Sequence, residues 1–137
     1  MVRELVHDPI FLAAKSEKAT AADLSAARDL MDTLLRHRED CVGMAANMIG
    51  VRRCIIAVAD VPRYLLMLNP EILNKSGPYD TEEGCLSLLG GPRKTTRWER
   101  IRVRWQDTGF KTHETDHSGF TAQIIQHEID HCNGILI

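Results

Sequence analysis

Between Thr20 and about Arg38, Leu24, Ala27, Met31, Leu34 and Leu35 recur three or four positions apart among charged residues. That is the spacing of an amphipathic helix with its apolar stripe turned to a core. Thr20 and Asp23 stand three residues apart at its start, the spacing of a capping box. The period then changes. Cys41 to Gly50 is a stretch of small and apolar residues bounded by glycines, where backbone can approach another group closely. Arg53 to Asp60, Tyr64 to Asn69 and Ile101 to Gln106 are short apolar or alternating runs set off by Pro and Gly. They predict strands, with a turn near Asp107 to Phe110. From about Gly119 to Cys132 the helical period returns: Ile125, Ile129 and Cys132 share an inward face, Ser118 is placed to cap the start, and Gly134 to stop the end. A helix, then strands, then a helix predicts α+β architecture, with antiparallel β-sheets packed around the C-terminal helix and one amphipathic helix near the N-terminus.

Composition narrows the setting. The chain has 137 residues, 44% of them hydrophobic, and shows no repeat or linker, so residues 1–137 are expected to form a single domain. Its 17 basic and 19 acidic side chains are interspersed and nearly cancel, which predicts no direct nucleic acid and no anionic membrane as partner. The N-terminus lacks the apolar core of a secretory leader, and no segment approaches the ~18 apolar residues needed to span a bilayer. A reducing, cytoplasmic location is therefore expected, in which Cys41, Cys54, Cys85 and Cys132 are thiols and not disulfides. Trp98 and Trp105 fit core or edge positions of strands, and His7, His37, His113 and His117 carry no ligand spacing, the latter two reading as surface residues.

The chemistry lies on the last helix. His127-Glu128-Ile129-Asp130-His131 has the spacing H-E-x-x-H. One helical turn separates the histidines, so both imidazoles can reach one ion, with Glu128 displaced to its side. A divalent ion there lowers the pKa of water toward ~7. The carboxylate can take the water's proton and later deliver it to a leaving amine. Chance occurrence on a solvated helix face is the alternative, and a third ligand decides between them.

Residues 132–137 contain no histidine, aspartate or glutamate, so that ligand is expected upstream. Cys132 is rotated away from the histidine face, Cys54 sits in the apolar run CIIAVA, and Cys41 has no ligand-like neighbours. Cys85 lies in Glu83-Gly84-Cys85-Leu86-Ser87, where glycine lets the backbone come close and a thiol can point at an ion. A Cys, His, His set leaves a fourth position open, the arrangement of a catalytic site. Zn²⁺, Fe²⁺, Ni²⁺ and Co²⁺ are all compatible with such ligands.

EGCLS followed by QHEIDH resembles the peptide deformylase family, and the resemblance extends from the opening HDPIF to the end of the chain. It implies hydrolysis of the formyl group on the N-terminal formyl-methionine of new polypeptides, including chains still on the ribosome, with ferrous iron held by Cys85, His127 and His131 and Glu128 as the catalytic carboxylate. The family's glycine-rich first motif is recognisable in Cys41 to Met48. By the same resemblance the backbone N–H of Leu86 donates to the formyl oxygen, Gly43 and Gly84 border the substrate backbone, Val42 and Ile124 line the methionine pocket, and Arg93 contacts substrate. Glu83 and Arg97 match an ion pair that braces the cysteine loop; a solvated surface pair is the alternative.

Two positions depart from the family pattern. Cys41 replaces a glycine, and Met48 stands where the family has a glutamine whose amide is the second donor to the formyl oxygen. Methionine cannot donate. Loss of one such donor costs on the order of 2.7 to 4 kcal/mol of transition-state stabilisation. Asn47 could substitute only if the backbone were locally bulged, since neighbours on an extended strand point to opposite faces. The intact ligands and Glu128 favour a deformylase of reduced or altered activity. The other readings are a peptide-binding metalloprotein with little turnover and an amidase acting on another acyl group.

Overall fold

Ile55–Asp60 (β2) is apolar at every position but the last because it is covered on both faces. In this computed structural model, which describes residues 1–137, Ile55 and Ala57 join Ala27, Leu30 and Leu34 of one helix (α2, Leu24–Arg36). Ile56 and Val58 join Ile125, Ile129 and Cys132 of another (α3, Gly119–Cys132). Two apolar layers meet on one strand, so alternation of apolar and polar residues disappears there.

The sheet is a single antiparallel one. A short helix (α1, Pro9–Leu12) precedes α2; the strands are β1 (Gly43–Ala45), β2, β3 (Arg63–Cys85), β4 (Leu88–Gln106) and β5 (Thr112–Ser118), paired in chain order. This is the expected α+β arrangement, with α3 against β1, β2 and β4.

α2 begins as predicted. A 3-10 turn at Ala21–Asp23 leads into it, and the Thr20 N–H donates to Asp23 Oδ2 at 2.8 Å. Ala27 and Leu34 are fully buried, Leu24 and Met31 pack at the margin, and Leu30, outside the anticipated stripe, is the other fully buried leucine. Leu35 is only half-buried.

The strands differ more from expectation. β3 and β4 run far beyond Tyr64 to Asn69 and Ile101 to Gln106, forming a long two-stranded ribbon from Glu71↔Arg104 to Cys85↔Leu88. Nearly half of its residues are charged or Thr, and both faces meet solvent in part, so no apolar run marks it. Pro70 and Gly84, which read as breakers, sit inside β3 at register shifts. In β5, His113 is not a solvated surface residue: it stacks on Trp105 with ring centroids 4.6 Å apart and meets Asp107 Oδ2 at 2.8 Å. His117 is half-buried and hydrogen-bonded to Thr115.

α3 is buried on nearly every side. Ser118 precedes it without a side-chain cap, and the Gln126 amide ties it to β4, accepting from Trp98 N–H (2.9 Å) and donating to Trp98 O (2.8 Å). Gly134 ends the helix at φ +75°, and a Cβ there would run into the Ala13 carbonyl. All four cysteines are free, and Cys132 lies in the core.

Candidate metal centre

His127 and His131 leave α3 one turn apart with their rings stacked, centroids 4.8 Å apart. β3 ends at Cys85, and a two-residue turn, Leu86-Ser87, returns the chain as β4. The fold thereby brings a strand end to the helix face. One ligand atom from each of Cys85, His127 and His131 lies within 4.8 Å of the other two. A thiol and two imidazoles at this spacing suit a divalent transition ion with a position left open.

Each histidine is oriented through its second ring nitrogen. His127 Nδ1 is 2.8 Å from Glu83 Oε1, and His131 Nε2 is 3.0 Å from the Ile137 carbonyl. Such contacts fix the tautomer and leave the remaining nitrogen for the metal. Glu83 and Arg97 form a buried, multiply bonded pair (Nη2 to Oε1 2.7 Å, Nε to Oε2 3.0 Å), not the solvated pair of the alternative reading. Arg97 also donates to Asp130 Oδ2 at 2.7 Å, and Gln123 Nε2 donates to Glu83 Oε2 at 2.9 Å.

The charges follow from these contacts. Burial works against the Glu83 carboxylate, but hydrogen bonds from His127, Arg97 and Gln123 bring its pKa down to about 2. Burial also opposes the His127 imidazolium, yet Glu128, Cys85 and Glu83 around it raise its pKa to about 10 in the metal-free protein. Burial lowers His131 to about 4, helped by the charge on His127. Glu128 is pushed up to about 7 by burial, and its Oε1 has no hydrogen-bond partner. A buried carboxylate oxygen without a partner is costly. Glu128 lies at the edge of a cavity.

The cavity holds about 460 Å³ and is lined by Val42, Gly43, Met48, Gly84, Cys85, Leu86, Ile124, His127 and Glu128 among others. Gly43 is needed for space: a Cβ there would lie 2.6 Å from Ile124 Cγ2 and 2.9 Å from Glu128 Oε2. Leu86 N–H has no acceptor within the protein. Arg93 is not among the lining residues; its Nη2 donates to the Leu89 carbonyl at 3.2 Å.

Met48 is buried in a 3-10 turn, Ala46–Ile49, and its Sδ accepts from Ala45 N–H at 3.5 Å. The backbone at Asn47 is therefore not extended. Asn47 nevertheless points away, with Nδ2 3.1 Å from the His131 carbonyl. Cys41 lines the same cavity, its thiol donating to the Gly43 carbonyl at 2.9 Å and pushed up to about 12, chiefly by burial. The sequence placed Cys41 only as a replacement for a family glycine, and Gln123 and Asp130 carried no assignment there. Gln123 carried a usable signal, standing four residues before His127 on the same helix face.

A family model described as polypeptide deformylase matches residues 3–137. A peptide deformylase of Clostridium beijerinckii is 50% identical over 137 residues, covering 100% of both chains. Peptide deformylase 3 of Shewanella oneidensis is 36% identical over 88% of this chain and 77% of its own. Among solved structures, a Legionella pneumophila peptide deformylase superposes with a TM-score of 0.89 at 31% identity, covering 99% of this chain and 83% of the other. The Met-Ala-Ser-bound class I type b peptide deformylase of Acinetobacter baumannii gives 0.88 at 30% identity, covering 99% and 97%. Sequence and fold agree: this chain belongs to the peptide deformylase family, metal-dependent enzymes that remove N-terminal formyl groups.

Proposed function

We propose that Cys85, His127 and His131 hold one divalent ion and that Glu128 moves the proton as this enzyme releases formate from N-terminal formyl-methionine. The observation that carries this is the unpartnered, buried Glu128 carboxylate beside three convergent ligands. When bound, the ion acts as a Lewis acid on the formyl oxygen and makes water acidic. Glu128 takes a proton from the attacking water as its oxygen bonds to the formyl carbon. The same carboxylate then gives that proton to the methionine nitrogen as the C–N bond breaks, leaving formate and a free amine. Leu86 N–H, free of any internal acceptor, donates to the formyl oxygen as charge gathers there. Val42, Gly43, Gly84 and Ile124 border the bound methionine, Met48 closes the floor beneath it, and Arg93 acts from outside the cavity.

The Acinetobacter relative that binds Met-Ala-Ser supports a methionine peptide as the ligand class. Ferrous iron is the native metal in this reading, with zinc, nickel or cobalt able to replace it. The enzyme acts as one domain in the cytoplasm, on nascent chains; no helix is long and apolar enough to cross a membrane. With Met48 in place of a donor, turnover is slower than a second donor would allow. Formate release from a formyl-Met peptide is measured with protein prepared and metal-loaded without oxygen, beside Glu128→Ala. General acid/base loss predicts a fall of roughly 10²- to 10⁴-fold. Equal rates would sink the proposal, and elemental analysis of the same sample names the metal.

A further inference from the structure

We infer that His7, in the N-terminal segment, is a positioning residue that aims the Leu86 N–H into the cavity. This rests on the deformylase reading above. Leu86 and Ser87 are the two turn residues between Cys85 and Leu88, and glycines flank the turn at Gly84, Gly90 and Gly91, where an added Cβ would meet nothing within 4 Å. Ser87 is fully buried and Leu86 packs against the core, but no main-chain hydrogen bond of either turn residue fixes the direction of its peptide groups. The one hydrogen bond that reaches either turn residue comes from far along the chain: His7 Nδ1 lies 3.1 Å from the Ser87 carbonyl. Since a carbonyl only accepts, Nδ1 carries the proton.

The preceding residue serves the opposite wall. Val6 N–H donates to the Met48 carbonyl at 2.8 Å. Residues 6 and 7 thus bridge the Met48 turn and the Leu86-Ser87 turn, the two sides between which the substrate's formyl group must lie. Where Met48 offers no donor, the Leu86 N–H is the only backbone donor left to the formyl oxygen in this reading. Its direction then matters more than it would in a site with two.

His7 is exposed, so its truncation opens no core cavity. Formate release by His7→Ala and His7→Asn is compared with wild type on a formyl-Met peptide, together with melting temperature and the ¹⁵N–¹H signal and hydrogen-exchange rate of the Leu86 amide. An asparagine amide nitrogen occupies nearly the place of Nδ1 and restores the donor. His7→Ala should lose roughly three- to tenfold in kcat, the size of one hydrogen bond, with KM within about twofold and faster exchange at Leu86; His7→Asn should recover most of both. Unchanged kcat in His7→Ala, or equal losses in the two variants, would overturn the assignment. If wild type releases no formate, the deformylase reading fails, and an unaltered Leu86 amide in His7→Ala separately rejects the positioning role.

Discussion

The two walls of the cavity are built on opposite principles. On one side Glu83, Gln123 and His127 line the cavity and are tied, through Arg97 and the half-buried Asp130 behind them, into a multiply bonded polar network. On the other side Cys41 and Met48 present sulfur atoms whose only hydrogen bonds are to backbone atoms of the same short segment. The polar wall fixes one geometry, because every member has a partner to lose. The sulfur wall fills space and directs nothing. A metal needs the first kind of surround, and a site can vary in the second without disturbing the ligands.

Removing the centre of the polar wall should have the largest effect. Arg97→Met takes the guanidinium from the buried Glu83, leaving His127 as its only cationic partner, and unpairs the half-buried Asp130; breaking a buried pair costs about 3 to 5 kcal/mol. Denaturant unfolding of the metal-free protein checks this, and unchanged stability would mean that the network does not depend on Arg97. The sign of its pH dependence is set by Glu83. Its carboxyl titrates at about 2, against 4.5 when free. Its contribution is therefore full above about pH 4.5 and is lost as the pH falls toward 2.

A donor placed on the sulfur wall should have the next largest effect. Met48→Gln is expected to speed deformylation by up to roughly a hundred- to thousandfold, the value of one restored donor, with little change in melting temperature. No gain on formyl-Met peptides, together with hydrolysis of an unformylated amide, would favour an amidase of different specificity. The smallest effect is on metal uptake. His127 holds its proton to about pH 10 in the metal-free protein, so binding must displace it. Affinity should rise by about tenfold per pH unit between pH 7 and 8 for each proton displaced, measured by competition with a chelator of known proton affinity; a flat profile would show that His127 is not a ligand.

The helices and the histidine pair were legible in the sequence for the same reason: each depends on spacing within a few residues. The Thr20 and Asp23 cap, the Ala27 and Leu34 stripe and the His127 and His131 pair are all local. Cys85 was reached because no other cysteine suited. The ribbon of β3 and β4 was not legible, since its pairing is long-range and its faces carry charge where an apolar run was sought. Nor was the polar wall as a whole. Glu83 and Arg97 came from family resemblance, but Asp130 and Gln123 join them only when α3 is laid across the ribbon. Alternation in β5 hid the stacking of His113 on Trp105, because a histidine in a polar strand reads as solvated.

Cys85 and Leu86 are neighbours in the chain, so their Cα atoms stand about 3.8 Å apart across a trans peptide. In the proposed reading, the thiol offered to the metal and the N–H offered to the formyl oxygen are separated by only two soft torsions, χ1 and ψ of Cys85. A substitution elsewhere in the core can change their separation only through those two torsions. On that reading a thioether can stand at position 48 of the opposite wall while the Leu86 donor stays next to the Cys85 thiol in the chain.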